Sequence, residues 1–130
     1  MDDKIKHALE RGRTIDITPT GRKSGQAQRI EIWFHNLDGQ IYITGSPGRR
    51  NWYANLRANP AFTFHLKEGV QADLPARATP IEEESARRAI MSRLLQRLNR
   101  SQDLESWVAD SPLVAVTLEG LEDTSPQTPA

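Results

Sequence analysis

The sequence predicts an α+β fold, mainly β, in which a small antiparallel sheet closes into a barrel. About six short segments alternate apolar and polar residues, and Asp-Gly or glycine-rich turns separate several of them. One long amphipathic helix lies in the second half of the chain. Closure removes the exposed strand edges that a domain of 130 residues would otherwise carry. A twisted open sheet is the alternative.

The first half of the chain predicts one short helix followed by three strands. Residues 3–11 form the helix, with Ile5, Ala8 and Leu9 on one face, and Gly12 ends it. The strands cover residues 13–18, 29–35 and 40–44. The last two are joined at 36–39, where Asp-Gly is typical of a hairpin turn.

The second half begins with a short helix over residues 51–60, which Asn59-Pro60 stops. Thr79, Pro80 and Glu82 match a capping box with Thr79 at the N-cap, so a long helix is expected from there to about Leu98. A shorter helix is predicted over 103–109. The remaining predicted strands cover 61–67, 70–78 and 113–120.

Pro75 implies that the strand at 70–78 is an edge or contains a bulge. We expect a single domain over residues 1–121, with its short helix within 1–12. The polar residues 122–130 are expected to form a disordered tail.

Strand alternation also predicts which side chains leave the barrel interior. Ile30, Ile32 and Phe34 face one way. The opposite face, expected to meet solvent, a ligand or a second subunit, carries Arg29, Trp33, His35 and His65.

Charge and composition exclude several classes of function. The formal net charge is zero, which argues against nucleic acid as the main partner. Residues 1–60 carry ten Lys/Arg against six Asp/Glu, so an anionic ligand would favour this half. The absence of cysteine excludes disulfides and thiol chemistry, and no segment is long enough to span a membrane. We expect a cytoplasmic protein.

The stretch TPTGRKSG, residues 18–25, is a candidate anion site. It is not a Walker loop, because the glycine spacing is wrong and a strand follows it. Two glycines nevertheless allow backbone N–H groups to converge on one anion, beside the fork of Arg22 and the point charge of Lys23. A hairpin turn with solvated basic residues is the alternative.

A second basic loop, GSPGRRN at residues 45–51, leads into the helix at 51–60. Arg49 and Arg50 supply charge, Asn51 is expected to cap the helix, and a helix N-terminus attracts anions. An ordinary strand-to-helix turn is the alternative. Both loops lie in the basic half, so they are candidates to converge on one polyanionic ligand.

Other residue combinations are weaker indications of a functional site. Trp33, Trp52 and Tyr53 suit a flat conjugated ring, or else a core or subunit contact. The three histidines do not have metal-ligand spacing, and Ser46 lacks the spacing of a nucleophile elbow. Residues 82–84, three glutamates, are interpreted as helix N-terminal charges paired with Arg87 and Arg88 four residues on.

Four motifs in order resemble the deazaflavin-dependent nitroreductase family, within the split β-barrel flavin/deazaflavin oxidoreductases. They are TPTGRKSGQ, the strand pair joined by Asp-Gly, the Ser-x-Gly loop at 46–48, and WYANLRANP at 52–60. The similarity covers about residues 15–80. It implies a split antiparallel β-barrel that binds coenzyme F420, a deazaflavin with a phosphate and an oligoglutamyl tail. It also implies hydride transfer to small molecules.

The resemblance assigns residues to this cofactor. Arg22, Lys23 and Ser24 would hold the phosphate. The strand beside the ring would present Gln28, Arg29 and Trp33, and backbone contacts would come from Thr44, Gly45, Ser46 and Pro47. The remaining pocket residues are Arg49, Arg50, Asn51, Trp52, Tyr53 and Asn55. Tyr53 or Tyr42 would be the proton donor, unless solvent serves.

The implied function is an oxidoreductase that reduces nitro compounds, quinones or enones with F420. Two alternatives remain: an FMN-dependent oxidoreductase of the same fold, since relatives bind FMN or haem, and a carrier that binds the deazaflavin without turnover. No metal is expected. The resemblance also implies a homodimer, because split barrels commonly pair.

Overall fold

A computed structural model describes residues 2–120 of the chain, so the predicted tail at 122–130 lies outside the described residues. The helices are α1 (Asp3–Arg11), α2 (Asn51–Ala58), α3 (Glu84–Arg97) and α4 (Leu104–Asp110). A 3-10 turn at Ser101–Asp103 precedes α4. The strands are β1 (Thr14–Thr18), β2 (Ile30–Trp33), β3 (His35–Leu37), β4 (Gln40–Thr44), β5 (Ala61–Leu66), β6 (Ala72–Pro80) and β7 (Leu113–Leu118).

The seven strands form one antiparallel sheet in the order β2-β1-β5-β6-β7-β4-β3. Strands β2 and β3 end the sheet, yet only Phe34 separates them along the chain, so the sheet curls into a nearly closed barrel. The predicted fold class is confirmed.

The predicted strand 29–35 is two strands. Alternation continues through Phe34, but the hydrogen-bonding partner changes there: β2 pairs with β1, and β3 pairs with β4. Phe34 itself is buried, and its N–H donates to the carbonyl of Arg13 at 2.9 Å. The hairpin after β3 is confirmed, with Asp38 and Gly39 both at positive φ, as a tight turn of this type requires.

Two hydrophobic clusters hold the fold together. The larger fills the barrel around Ile15, Ile17, Ile43 and Phe64, all fully buried. It includes Ala8 and Leu9 of α1, as predicted. The smaller cluster packs α3 and α4 against β3 and β7, and its members are Leu37, Met91, Leu94, Leu95, Trp107, Val108 and Leu113.

The prediction of a capping box at Thr79 is wrong. Strand β6 continues to Pro80, which pairs with Val114 of β7, so the chain is still extended where the box would sit. Helix α3 begins at Glu84, and Glu83 caps it by accepting hydrogen bonds from the N–H groups of Ser85 and Ala86.

Two further expectations are corrected. Strand β6 is bonded on both sides, to β5 and β7, so Pro75 does not mark an edge. Pro75 lies one residue before the ladder to β7 begins, and its carbonyl accepts from Glu119 N at 2.9 Å. His65 lies on the face opposite Phe64, as predicted, but is buried rather than open to solvent or a ligand.

Candidate functional site

The segment 19–28 folds into a small hairpin closed by backbone hydrogen bonds. Gly21 N donates to Gln26 O at 2.8 Å, Gly25 N to Gly21 O at 2.9 Å, and Gln28 N to Pro19 O at 3.1 Å. Gly25 has φ +71°, a conformation that favours glycine. Lys23 and Ser24 are exposed at the tip. This tip, residues 21–25, is called the basic hairpin below.

Helix α2 anchors the basic hairpin through Asn55. The Asn55 side-chain oxygen accepts two hydrogen bonds from Arg22, one from the backbone N at 3.0 Å and one from Nη1 at 2.8 Å. Asn55 is 3% exposed, so its amide lies at the base of the hairpin and not in solvent. The hairpin is therefore held in one place, with the Arg22 guanidinium bonded to α2 and Lys23 exposed at the tip.

The second basic loop, residues 45–50, runs from the end of β4 into the first turn of α2. The Arg50 guanidinium folds back onto this loop and donates to Ser46 O at 3.0 Å and Arg49 O at 3.1 Å. Arg50 also stands at the N-cap of α2, where no side chain caps the helix. Asn51 is the first helical residue, so the expectation that it caps α2 is wrong.

Both basic loops therefore meet the same short helix. The loop at 45–50 enters the first turn of α2, and the basic hairpin is bonded to Asn55 in the second turn. The uncapped N-terminus of α2 adds unpaired N–H groups and the positive end of the helix dipole. This donor set of guanidinium, ammonium and backbone N–H groups suits a phosphate.

The loop at 45–50 and the end of β4 also contact the end of α4 and the residues that follow it. Gly48 N donates to Asp110 O at 3.1 Å, and the Thr44 hydroxyl donates to Pro112 O at 2.5 Å. Thr44 is buried, whereas Ser46, Pro47 and Arg49 are exposed.

The aromatic residues separate into core and surface. Trp52 is 9% exposed and belongs mainly to the barrel core. Tyr53 is half-buried, with its ring edge against Trp52 and the Arg57 guanidinium 5.8 Å from its ring centroid. Trp33 is 47% exposed, and the Arg13 guanidinium lies 4.9 Å from its ring centroid. Tyr42 is half-buried beside the smaller cluster.

Arg29, predicted beside the cofactor ring, is part of a charge network on the outer face of β1 and β2. Asp16 accepts from Lys67 at 2.7 Å and from Arg29 at 2.9 Å, and Lys67 also contacts Glu31. These hydrogen bonds, that from Lys67 first, lower the pKa of Asp16. Gln28 is exposed at the foot of the hairpin.

The sequence pattern did not reveal a chain of hydrogen bonds that passes through the His65 ring. Its Nε2 lies 2.6 Å from Thr18 Oγ1, and its Nδ1 lies 2.7 Å from Asp73 Oδ1. The hydrogen bond from His65 lowers the pKa of Asp73. Strand register brings these groups together, because His65 lies across from Asp16 on β1 and from Asp73 on β6. The strand pairing therefore had to be known before these contacts could be found.

A family model described as F420H2-dependent quinone reductase matches residues 2–119 of this chain. The chain belongs to that family. The resemblance drawn from the four motifs is thereby confirmed, and the chain is an oxidoreductase whose cofactor is of the deazaflavin or flavin type.

Solved structures of low identity share the fold. An F420H2-dependent reductase is 21% identical with a TM-score of 0.60, over 83% of this chain and 95% of that one. A FAD-binding protein from Mesorhizobium loti is 16% identical with a TM-score of 0.66, over 92% and 90%. The haem storage protein HutZ from Vibrio cholerae is 14% identical with a TM-score of 0.67, over 91% and 89%.

Among residues 2–120, no group of three His, Asp or Glu side chains is arranged to hold a metal ion. In the same range, no helix is both long and apolar enough to cross a membrane.

Proposed function

We propose that this protein reduces small quinones, nitro compounds or enones with the reduced deazaflavin coenzyme F420. The observation that carries the proposal is the basic hairpin held on α2 by Asn55 in a chain of this family. Bound F420 supplies the hydride, so the protein needs to bind and orient it and to exclude competing reactions.

In this proposal Arg22, Lys23 and Ser24 bind the cofactor phosphate. The double hydrogen bond from Arg22 to Asn55 leaves Nη2 and Nε available to an anion and fixes the backbone N–H groups at the tip. An added Cβ at Gly25 would meet nothing within 4 Å, so the hairpin is open on that side.

The remaining assignments place the ring between the two loops and β2. Backbone groups of Thr44, Gly45, Ser46 and Pro47 would contact it on one side, and Gln28, Arg29 and Trp33 on the other. The pocket would be completed by Arg49, Arg50, Asn51, Trp52 and Asn55. Because Arg50 is bonded to its own loop carbonyls, we assign it to the shape of the loop, and Arg49 to the approach of the anionic tail.

Tyr53 is the proposed proton donor to the reduced substrate. Its side chain is half-buried on α2, and the Arg57 guanidinium lies 5.8 Å from its ring centroid. A Tyr53→Phe variant that keeps full turnover would transfer this role to solvent.

A flavin such as FMN is the alternative cofactor, because a solved structure with the same fold is described as a FAD-binding protein. The purified protein is titrated anaerobically with reduced F420 and, separately, with FMN, and reoxidation of F420 is then followed with quinones and nitroaromatics. We expect F420 binding and turnover. Tight FMN binding without F420 binding would make the protein an FMN enzyme, and F420 binding without turnover would make it a carrier.

We also propose a cytoplasmic homodimer. Trp33 is the large hydrophobic side chain that residues 2–120 leave exposed, and a second subunit would cover it. Sedimentation of the wild type and of Trp33→Glu tests this, with a dimer expected for the first and a monomer for the second.

A further inference from the structure

Arg87 is a buried arginine whose hydrogen-bond partners are all backbone carbonyls. Its Nε donates to Val108 O at 2.8 Å, and its Nη1 to Ile81 O at 2.8 Å. Its Nη2 donates to Trp107 O at 3.2 Å and to Ser111 O at 2.6 Å. Arg87 is 8% exposed. The prediction that it pairs with Glu83 is wrong, because the Glu83 carboxylate caps α3 instead.

The four acceptors define what Arg87 holds. Three belong to residues 107–111, where α4 ends, and Trp107 O also accepts from Ser111 N at 3.1 Å. A cation there offsets the negative end of the helix dipole. The fourth acceptor, Ile81, lies before α3 and donates its own N–H to Leu113 O at 3.0 Å. Arg87 thus fixes residues 107–113 to α3.

The same segment supports the loop at 45–50. Asp110 accepts from Gly48 N, and Pro112 accepts from the Thr44 hydroxyl. A Cβ added at Gly45 would lie 3.8 Å from Pro112 Cγ, so the loop passes close to this segment. The backbone of residues 107–112 is therefore bonded to Arg87 at 107, 108 and 111, and to Gly48 and Thr44 at 110 and 112.

We propose that Arg87 is a positioning residue for the cofactor loop at 45–50, acting through the segment 107–112. It rests on the proposed function, because that function gives the loop its role in holding the deazaflavin ring. A guanidinium is suited to this task, since its planar fork serves several carbonyls at once, whereas an ammonium has three donors on a flexible stem.

The test compares Arg87→Met and Arg87→Lys with Arg88→Met in the full chain. Arg88 is the neighbouring residue, and it pairs with Glu84 and Glu105 on the surface, so its loss serves as the matched control. Two quantities are measured well below the unfolding temperature: amide hydrogen exchange of the peptides covering 44–50 and 21–25, and the dissociation constant of F420.

We expect Arg87→Met to speed exchange at 44–50 at least tenfold while exchange at 21–25 changes less than twofold. F420 affinity falls at least tenfold, Arg87→Lys recovers part of it, and Arg88→Met stays within twofold of wild type. The loss appears mainly as a higher KM for F420, whereas kcat, measured at saturating F420, changes less. Unchanged exchange at 44–50 in a folded Arg87→Met, or an equal rise in Arg88→Met, overturns the proposal.

Thr44→Val keeps the proposal testable if Arg87→Met does not fold, because it removes the far end of the same connection. We expect faster exchange at 44–50 in this variant as well. The double variant Thr44→Val/Arg87→Lys should lose less F420 binding free energy than the sum of the losses in the two single variants. Simple additivity would contradict the connection. The exchange measurements need no cofactor, so a wild type that binds no F420 rejects the proposed function and leaves this test intact.

Discussion

The side-chain oxygen of Asn55 accepts hydrogen bonds from both the backbone N and the guanidinium Nη1 of Arg22, at 3.0 and 2.8 Å. One buried amide thereby fixes both the position of a loop and the direction of its cationic side chain. Because Asn55 belongs to α2, which the loop at 45–50 enters, a single helix aligns both basic loops.

Asn55→Ala should weaken F420 binding more than it disturbs the barrel. It leaves two donors of Arg22 without their acceptor, and hydrogen bonds to charged groups contribute about 1.5–3 kcal/mol. We expect a loss of affinity of about tenfold to a hundredfold, measured by fluorescence titration. Asn59→Ala is the control, since its amide reaches the hairpin only by a 3.4 Å contact to Thr20 O. Equal effects of the two variants would mean that Asn55 does not hold the site.

Gly25→Ala should destabilise the protein by about 1 kcal/mol, because φ +71° is strained for a residue with a Cβ. The cost is conformational alone, since the added Cβ meets nothing within 4 Å. Urea denaturation measures it. Gly25→Asn, whose side chain tolerates this conformation better, should lose less. Alanine as stable as glycine would show that the hairpin tip adopts another conformation.

His35 should make the protein less stable as the pH falls from about 6.5 towards 4. Burial, followed by the nearby charges of Arg97 and Arg13, lowers the pKa of His35 to about 4. The unfolded chain therefore takes up the proton first, and stability contributed by the neutral imidazole is lost over that interval. The loss amounts to at most about 3 kcal/mol.

His35→Gln is the variant that isolates this effect. Carboxyl groups with lowered pKa, such as Asp16 and Asp73, also lose stability on acidification, but they do so equally in both proteins. The difference in urea midpoint between wild type and variant should therefore be smaller at pH 5 than at pH 7. A difference that stays constant between the two pH values would place the imidazole in water.

The sequence predicts most of this fold because period-two alternation marks strands that bury one face. Ile15 and Ile17, and again Ile41 and Ile43, are buried at alternate positions of their strands. Alternation does not reveal hydrogen-bond partners, so the division at Phe34 was missed. Pairing of Pro80 with Val114 likewise overrides the local capping signal at Thr79.

The sequence predicts the candidate site to about the same extent as it predicts the fold. Glycines and basic residues mark the two loops, and the family resemblance adds Asn55. The contact between Arg22 and Asn55 spans 33 positions and appears only once α2 has packed on the barrel. The acceptors of Arg87 are carbonyls that no residue type identifies, because every residue carries one.

The most direct measurement is the affinity of wild type and Arg22→Ala/Lys23→Ala for two ligands. One is F420, and the other is its deazaflavin chromophore without phosphate or tail. The double variant should lose about 2–4 kcal/mol for F420, the worth of two charge-assisted contacts, and little for the bare chromophore. An unchanged F420 affinity in a folded double variant would contradict the account and make the hairpin a solvated turn.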